Sequence, residues 1–287
     1  MTPTLVRHQP PSQAGSTPRV NLGARARDWS EIQERMLVPL YETVHERLEV
    51  GPATRLLGLR CGSGLALLMA AARGAAVTGV DSSPERLALA RERLLPDPVT
   101  GVRVRGRGAR IVQGSPRDAA GAQAPEYNLI TAFEPIGCLA GDAQRLGDLL
   151  AEAVPSAARG AAVVLTGWGP PERCATSSVL RVAAKLADPL RSTGCWRPAR
   201  RDDLEEVAGR AGLRIDGSGR VSCPFGYADA DNAVRGLLST GLFDAGIAAA
   251  DEEQVGKELV EALQPYRRAD GTVWMPNVFR YLIARVR

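Results

Sequence analysis

The stretch LLGLRCGSG, residues 56–64, followed at once by LALLMAAARG, constrains the fold more than any other part of the chain. A short apolar run enters a glycine turn, and a helix-forming run leaves it. Strand, glycine turn and helix in that order present backbone N–H groups to a nucleotide. The next apolar run, AAVTGV, ends at Asp81. An acid there, roughly 20 residues past the turn, is placed to accept hydrogen bonds from ribose hydroxyls. Together the two features point to an adenosine-type cofactor. The dinucleotide pattern G-x-G-x-x-G fits poorly, because Gly62 and Gly64 are followed by Leu67 where a third glycine belongs. This disfavours NAD.

Around this core the sequence alternates. Apolar strand candidates are 55–60, 75–80, 110–113, 127–132 and 160–166, with 213–222 and 277–286 as sixth and seventh. Helix candidates are 64–73, 83–95, 141–154 and 202–212. Such alternation predicts an α/β fold with a parallel sheet and helices on both faces. Ser83 with Pro84 and Glu85 signals a helix start. Three further helical stretches, 228–240, 242–250 and 251–264, lie within an insertion over 223–276, expected to sit over one end of the sheet.

Residues 28–50 are expected to form entry helices. Ser30 and Gln33 make a capping box, and Ile32, Met36, Leu40, Val44 and Leu48 share one face. Pro39 breaks the pattern and should open a second helix. His45 falls outside the apolar face and is expected at the surface. Residues 1–20, rich in Pro, Ser and Thr, are expected to be disordered, leaving 21–287 as the folded domain.

Composition excludes several classes. Of the residues 45% are hydrophobic and 24% charged, so a packed core is expected. The five cysteines form no C-x-x-C pair, and His8 and His45 are the only histidines, so no metal site is expected. No run reaches membrane-spanning length and the first residues lack a signal-peptide core. A cytoplasmic protein with free thiols and no membrane partner is expected. The net charge of +4 is carried almost entirely by arginine. Arg103, Arg105, Arg107 and Arg110 cluster in 102–110, but no aromatic residue is interleaved, so this reads as a solvated loop and nucleic-acid binding is not expected.

LLGLRCGSG, VTGVDSSPERLALAR, NLITAF and GAAVVLTGWGPPER, with the entry RDWSEIQERMLVPLYETV and the tail DGTVWMPNVFRYLIAR, resemble class I S-adenosylmethionine-dependent methyltransferases. The resemblance is to bacterial members of small-molecule type and runs from about Asp28 to the last residue. It implies a Rossmann-like seven-stranded, mostly parallel sheet whose last strand is antiparallel, under a helical lid. It implies S-adenosylmethionine as cofactor and methyl transfer to a small, apolar or aromatic metabolite. Gly62 and Gly64 match the family's turn, and Asp81 matches its ribose-binding acid.

Three positions depart from the family pattern L-L-D-x-G-C-G-x-G and its later Gly-Asp. Gly58 stands where the family has the Asp that helps hold the methionine amino group. The lost carboxylate removes a charge-assisted hydrogen bond of ~1.5–3 kcal/mol. Arg60 stands where the turn's first glycine belongs. Three outcomes are open for it: pairing with the cofactor's carboxylate, filling the pocket, or pointing to solvent. Ser115 replaces the acid that meets adenine. Phe133 is in the place of a residue that flanks the cofactor, and Glu134 in that of one facing substrate. Trp29, Tyr41, Trp168 and Trp196 are candidate walls of the substrate pocket, and no catalytic base is assigned. Two functions follow: a methyltransferase, or an inactive protein of that fold with a binding or regulatory role.

Overall fold

A computed structural model describes residues 21–95, 108–119, 127–187 and 203–287. The tail 1–20, Arg103, Arg105, Arg107, His8, Cys195 and Trp196 lie outside the described residues.

The chain enters through α1 (Leu22–Asp28), capped by Asn21, whose side chain accepts from the Ala24 N–H. No new helix starts at Ser30. The expected capping box is absent because α1 continues through a π-helical turn (Trp29–Gln33) and a 3-10 turn (Glu34–Leu37) into α2 (Val38–Arg47). A wide turn followed by a tight one shifts the phase of the helix. Ser30, Gln33 and Glu34 are thereby buried, although the sequence pattern assigns the apolar face to Ile32 and Met36. Pro39 lies in the first turn of α2, as the sequence predicts.

The sheet contains β1 (Arg55–Leu59), β2 (Ala76–Asp81), β3 (Ala109–Gln113), β4 (Tyr127–Ile136), β5 (Ala157–Trp168), β6 (Arg214–Ser222) and β9 (Val278–Arg285). Their order is β3-β2-β1-β4-β5-β9-β6. β1 pairs in parallel with both β2 and β4, while β9 runs antiparallel to β5 and β6. Strand order therefore reverses between β1 and β4. Ligands of open α/β sheets bind beyond the carboxyl ends of strands at such a point.

Successive strand residues point to opposite faces, so each face carries its own core. On one face Leu56, Val77, Leu129, Val164 and Phe279 pack with α2 and α3 (Leu65–Ala72). On the other, Leu57, Ile130, Val163 and Leu165 pack with α6 (Asp142–Ala153) and α8 (Asp203–Arg210). The remaining crossovers are α4 (Pro84–Leu94), α5 (Pro116–Ala119) and α7 (Thr176–Ala187). Ser83 caps α4 by accepting from the Arg86 N–H, as its sequence signals.

The 223–276 insertion is not wholly helical. Besides α9 (Ala230–Ser239), α10 (Asp244–Ala249) and α11 (Glu252–Ala262) it contributes β7 (Phe225–Tyr227) and β8 (Val273–Met275). These pair antiparallel as a separate two-stranded sheet. Three-residue strands separated by the whole insertion are too short to show a strand period. His45 is a second correction. It is fully buried, with its ring edge-on to Phe133 at 5.9 Å. α2 is covered both by α3 and by β6, so its buried stripe is wider than one i, i+4 row.

Among the described residues no helix is long and apolar enough to cross a membrane.

Candidate functional site

β1 ends at Leu59, and the turn that follows holds three left-handed residues: Arg60 at φ +48°, Gly62 at +58° and Gly64 at +81°. Glycine adopts this region freely, whereas arginine is strained there. The turn borders a cavity that reaches the carboxyl end of β4. Arg60, Gly62, Phe133, Glu134, Trp29, Tyr41 and Trp168 all line it. Gly64, Asp81 and Ser115, also singled out by the sequence, do not contribute to its wall.

Arg60 does not fill the cavity. Its side chain crosses to Glu134, with Nη1 2.7 Å from Oε2, and both side chains stay half-exposed. Gly58 faces the Leu67 side chain, which would have to shift to admit a larger residue. A Cβ there would lie 2.8 Å from Leu67 Cδ2. Leu67, at the position where a dinucleotide site has its third glycine, thus fills the space beside β1.

Asp81 is 6% exposed. Its Oδ2 accepts from the Gly62 N–H at 2.9 Å and its Oδ1 from the Ser83 N–H at 2.9 Å. It ties the end of β2 to the turn and to the start of α4. A carboxylate has about four acceptor sites, so roughly half its capacity remains. Gly64 opens α3, and a Cβ on it would lie 3.1 Å from both Ala90 and Leu94 of α4. Its bareness lets α4 approach. The Ser115 N–H donates to Asp118 Oδ2 at 2.7 Å, so Asp118 caps the short α5.

Glu34 and Arg93 belong to the site and escape the sequence reading. Glu34 is 2% exposed. Its Oε2 accepts from Arg93 Nη1 at 2.6 Å and from the Ser63 hydroxyl. Its Oε1 accepts from the Leu65 N–H at 3.3 Å, so a carboxylate sits at the start of α3, where the helix dipole favours negative charge. Arg93 also donates to the Ser63 and Ser30 carbonyls at 2.9 and 3.0 Å. One buried ion pair thereby fastens the entry segment to the glycine turn. Glu34 lies off the apolar face expected for the entry helix, and nothing in the sequence links it to Arg93.

Trp29 packs on the same turn. The Arg86 guanidinium stands 4.5 Å from its ring centre, while Nε1 is buried without a hydrogen-bond partner. A Cβ on Gly62 would lie 3.1 Å from that nitrogen. The far wall is aromatic: Trp168 lies 4.6 Å from Phe279 and 6.1 Å from Phe225. Tyr41 contacts Phe133 at 4.8 Å.

Burial, then the charge of Glu34, holds the Tyr41 phenol well above its ordinary value, so it stays protonated. Burial raises the Cys61 and Cys138 thiols in the same direction, and neither is a thiolate at neutral pH. His45 is pushed down to about 4 by burial and then by Arg73, so its imidazole is neutral. Among the described residues no group of three His, Cys, Asp or Glu side chains is arranged to hold a metal ion.

No family model matches the chain, and no curated protein matches it. Solved structures do. A Bacillus halodurans protein with a provisional methyltransferase description is 14% identical with a TM-score of 0.52, over 85% of this chain and 97% of that one. YcgJ of Bacillus subtilis is 16% identical with a TM-score of 0.51, over 89% and 99%. YjhP of E. coli is 21% identical with a TM-score of 0.50, over 92% and 99%. At such identities the likeness is one of fold. The chain has the Rossmann-like fold of the class I S-adenosylmethionine-dependent methyltransferases.

Proposed function

We propose that the chain transfers a methyl group from S-adenosylmethionine to a small apolar or aromatic metabolite. One observation carries this reading: the left-handed turn after β1 opens into an aromatic-lined cavity at the point where strand order reverses.

The residues fit the cofactor. Gly62 is bare beside Trp29, whose buried Nε1 lacks an acceptor. Asp81 keeps acceptor capacity for ribose hydroxyls. On this reading Gly62 and Trp29 hold the polar end of the cofactor, Arg60 adds a contact from its remaining N–H groups while staying paired with Glu134, and Gly64 shapes the turn. Asp81 holds the ribose, Ser115 meets the adenine, and Phe133 flanks the cofactor.

When bound, the cofactor supplies an electrophilic methyl group on a sulfonium. The chain holds the acceptor and excludes water, which is where its leverage on the rate lies. Trp168, Phe133 and Tyr41 wall the acceptor. Glu134 is the wall carboxylate placed to take a proton from it, since Tyr41, Cys61 and Cys138 hold their own protons.

A second reading, a binding protein without transfer, draws on a different observation. The N–H groups of Gly62 and Leu65 already donate to Asp81 and Glu34, and position 58 has no carboxylate.

Calorimetric titration with S-adenosylhomocysteine separates the two. Saturable binding that disappears in Asp81→Ala supports the methyltransferase. No heat and no thermal shift at millimolar ligand would overturn it in favour of the second reading.

A further inference from the structure

We infer that the acceptor is an aromatic acid, and that the cavity selects it by charge: it takes a carboxylate and rejects an amine. That this ligand accepts a methyl group rests on the methyl-transfer reading. The charge preference rests on the cavity itself.

Three carboxylates line the cavity, and each is engaged within the chain. Glu34 is bonded by Arg93 and Ser63, and Glu134 by Arg60. Asp142 is turned into its own loop. Its Oδ2 accepts from the N–H groups of Gly137, Cys138 and Leu139 at 2.6, 3.1 and 3.1 Å, and its Oδ1 from that of Ala143 at 2.6 Å.

The donors are not matched in the same way. Arg86 lines the cavity and meets only the Trp29 ring and the Ser239 carbonyl. Arg145, exposed on the first turn of α6, meets only the Ala140 carbonyl at 3.3 Å. Among the described residues neither has a carboxylate within ion-pair distance. Each wall carboxylate thus has a donor within the chain, whereas the Arg86 and Arg145 guanidiniums have no carboxylate partner among the described residues.

An ammonium entering here would lose its water and meet only carboxylates already bonded within the chain, which compensates a desolvated charge poorly. A carboxylate would find a guanidinium fork suited to two-point hydrogen bonding. Arg145 is the better placed of the two arginines, since Arg86 is already stacked on Trp29. Trp168, Phe225, Phe279 and Phe133 also line the cavity, and aromatic walls suit a planar ring. Ring and acid together define the ligand class.

The test uses the full chain and three probes that share one ring system: 2-naphthoate, its isostere 2-naphthamide, and 2-naphthylmethylamine. Affinities are measured by calorimetry and by quenching of tryptophan fluorescence. The acid should bind at least about tenfold tighter than the amide, and the amine weakest of the three. Arg145→Gln should bring the acid down to the affinity of the amide and leave the amide unchanged. Arg145→Lys should retain part of the preference. Arg145 is exposed, and circular dichroism of the variants checks that they fold.

Equal affinity for acid and amide, tighter binding of the amine, no binding of any probe at millimolar concentration, or an acid preference untouched in Arg145→Gln would each overturn the inference. A parallel titration with S-adenosylhomocysteine keeps the two questions apart. Acid preference without cofactor binding sinks methyl transfer and leaves the charge selection standing. Cofactor binding without acid preference sinks the charge selection alone.

Discussion

Arg60 Nη1 lies 2.7 Å from Glu134 Oε2, so an ion pair joins the carboxyl ends of β1 and β4 across the crevice where strand order reverses. The pair is half-exposed, at 42% and 45% of the two side chains. Exposed pairs contribute about 0–1 kcal/mol. The left-handed backbone that Arg60 adopts costs a non-glycine residue roughly 1–2 kcal/mol. Stability therefore does not favour arginine at this position, and its use is to be sought in the crevice it spans.

Replacing it tests that balance. Arg60→Gly loses the pair but relieves the backbone, and Arg60→Ala loses the pair without relief. In urea denaturation Arg60→Gly should match wild type within about 1 kcal/mol and exceed Arg60→Ala by about the same amount. Equal stability of the two variants would show that the turn is unstrained.

Gly58→Asp restores the family's residue and should not restore its role. The new Cβ would meet Leu67 Cδ2 at 2.8 Å, so Leu67 must move. Overpacking of this kind costs about 1–3 kcal/mol, and a buried carboxylate adds to it. Thermal melts should show a clear loss in Gly58→Asp and a smaller loss on adding the second change in Gly58→Asp/Leu67→Ala than additivity predicts.

Glu34→Ala leaves Arg93 without its anion beneath the entry segment. Breaking a buried pair costs about 3–5 kcal/mol, and the 21% exposure of the Arg93 side chain sets the lower end of that range. Glu34→Gln keeps an acceptor for Leu65 and should lose less. Limited proteolysis should cut the 22–47 region first in Glu34→Ala. Cleavage at wild-type rate would mean that the pair does not fasten this segment.

His45 makes stability depend on pH. Both ring nitrogens are buried without partners, and its value in the folded chain is about 4 against 6.5 for the free side chain. Between those values the unfolded chain binds a proton that the folded chain refuses. Stability is thus full above about 6.5 and falls as pH drops toward 4, by on the order of 3 kcal/mol. The His45→Leu variant should lose this component, seen as a flatter dependence of unfolding free energy on pH between 4 and 7. A wild-type curve already flat there would disprove the burial account.

The local signals in the sequence were sufficient for the architecture. The glycine turn between an apolar run and a helix, Ser83 before Pro84, and the acid ending the second run each act within a few residues, so they survive without knowledge of the fold. They place β1, β2 and α4 correctly, and the strand alternation with the family resemblance gives the sheet. Four outcomes depended on residues far apart in the chain. Glu34 meets Arg93, and Arg60 meets Glu134, only once the entry segment and β4 are folded over the turn. Leu67 crowds position 58 through a side-chain contact that no period encodes. His45 is buried where α2 packs on β4 and its ring meets Phe133, which lies almost 90 residues further on. Sequence determines an element through short-range backbone preference. The state of each charge, and the space left for a ligand, is decided by which distant side chains share the same volume.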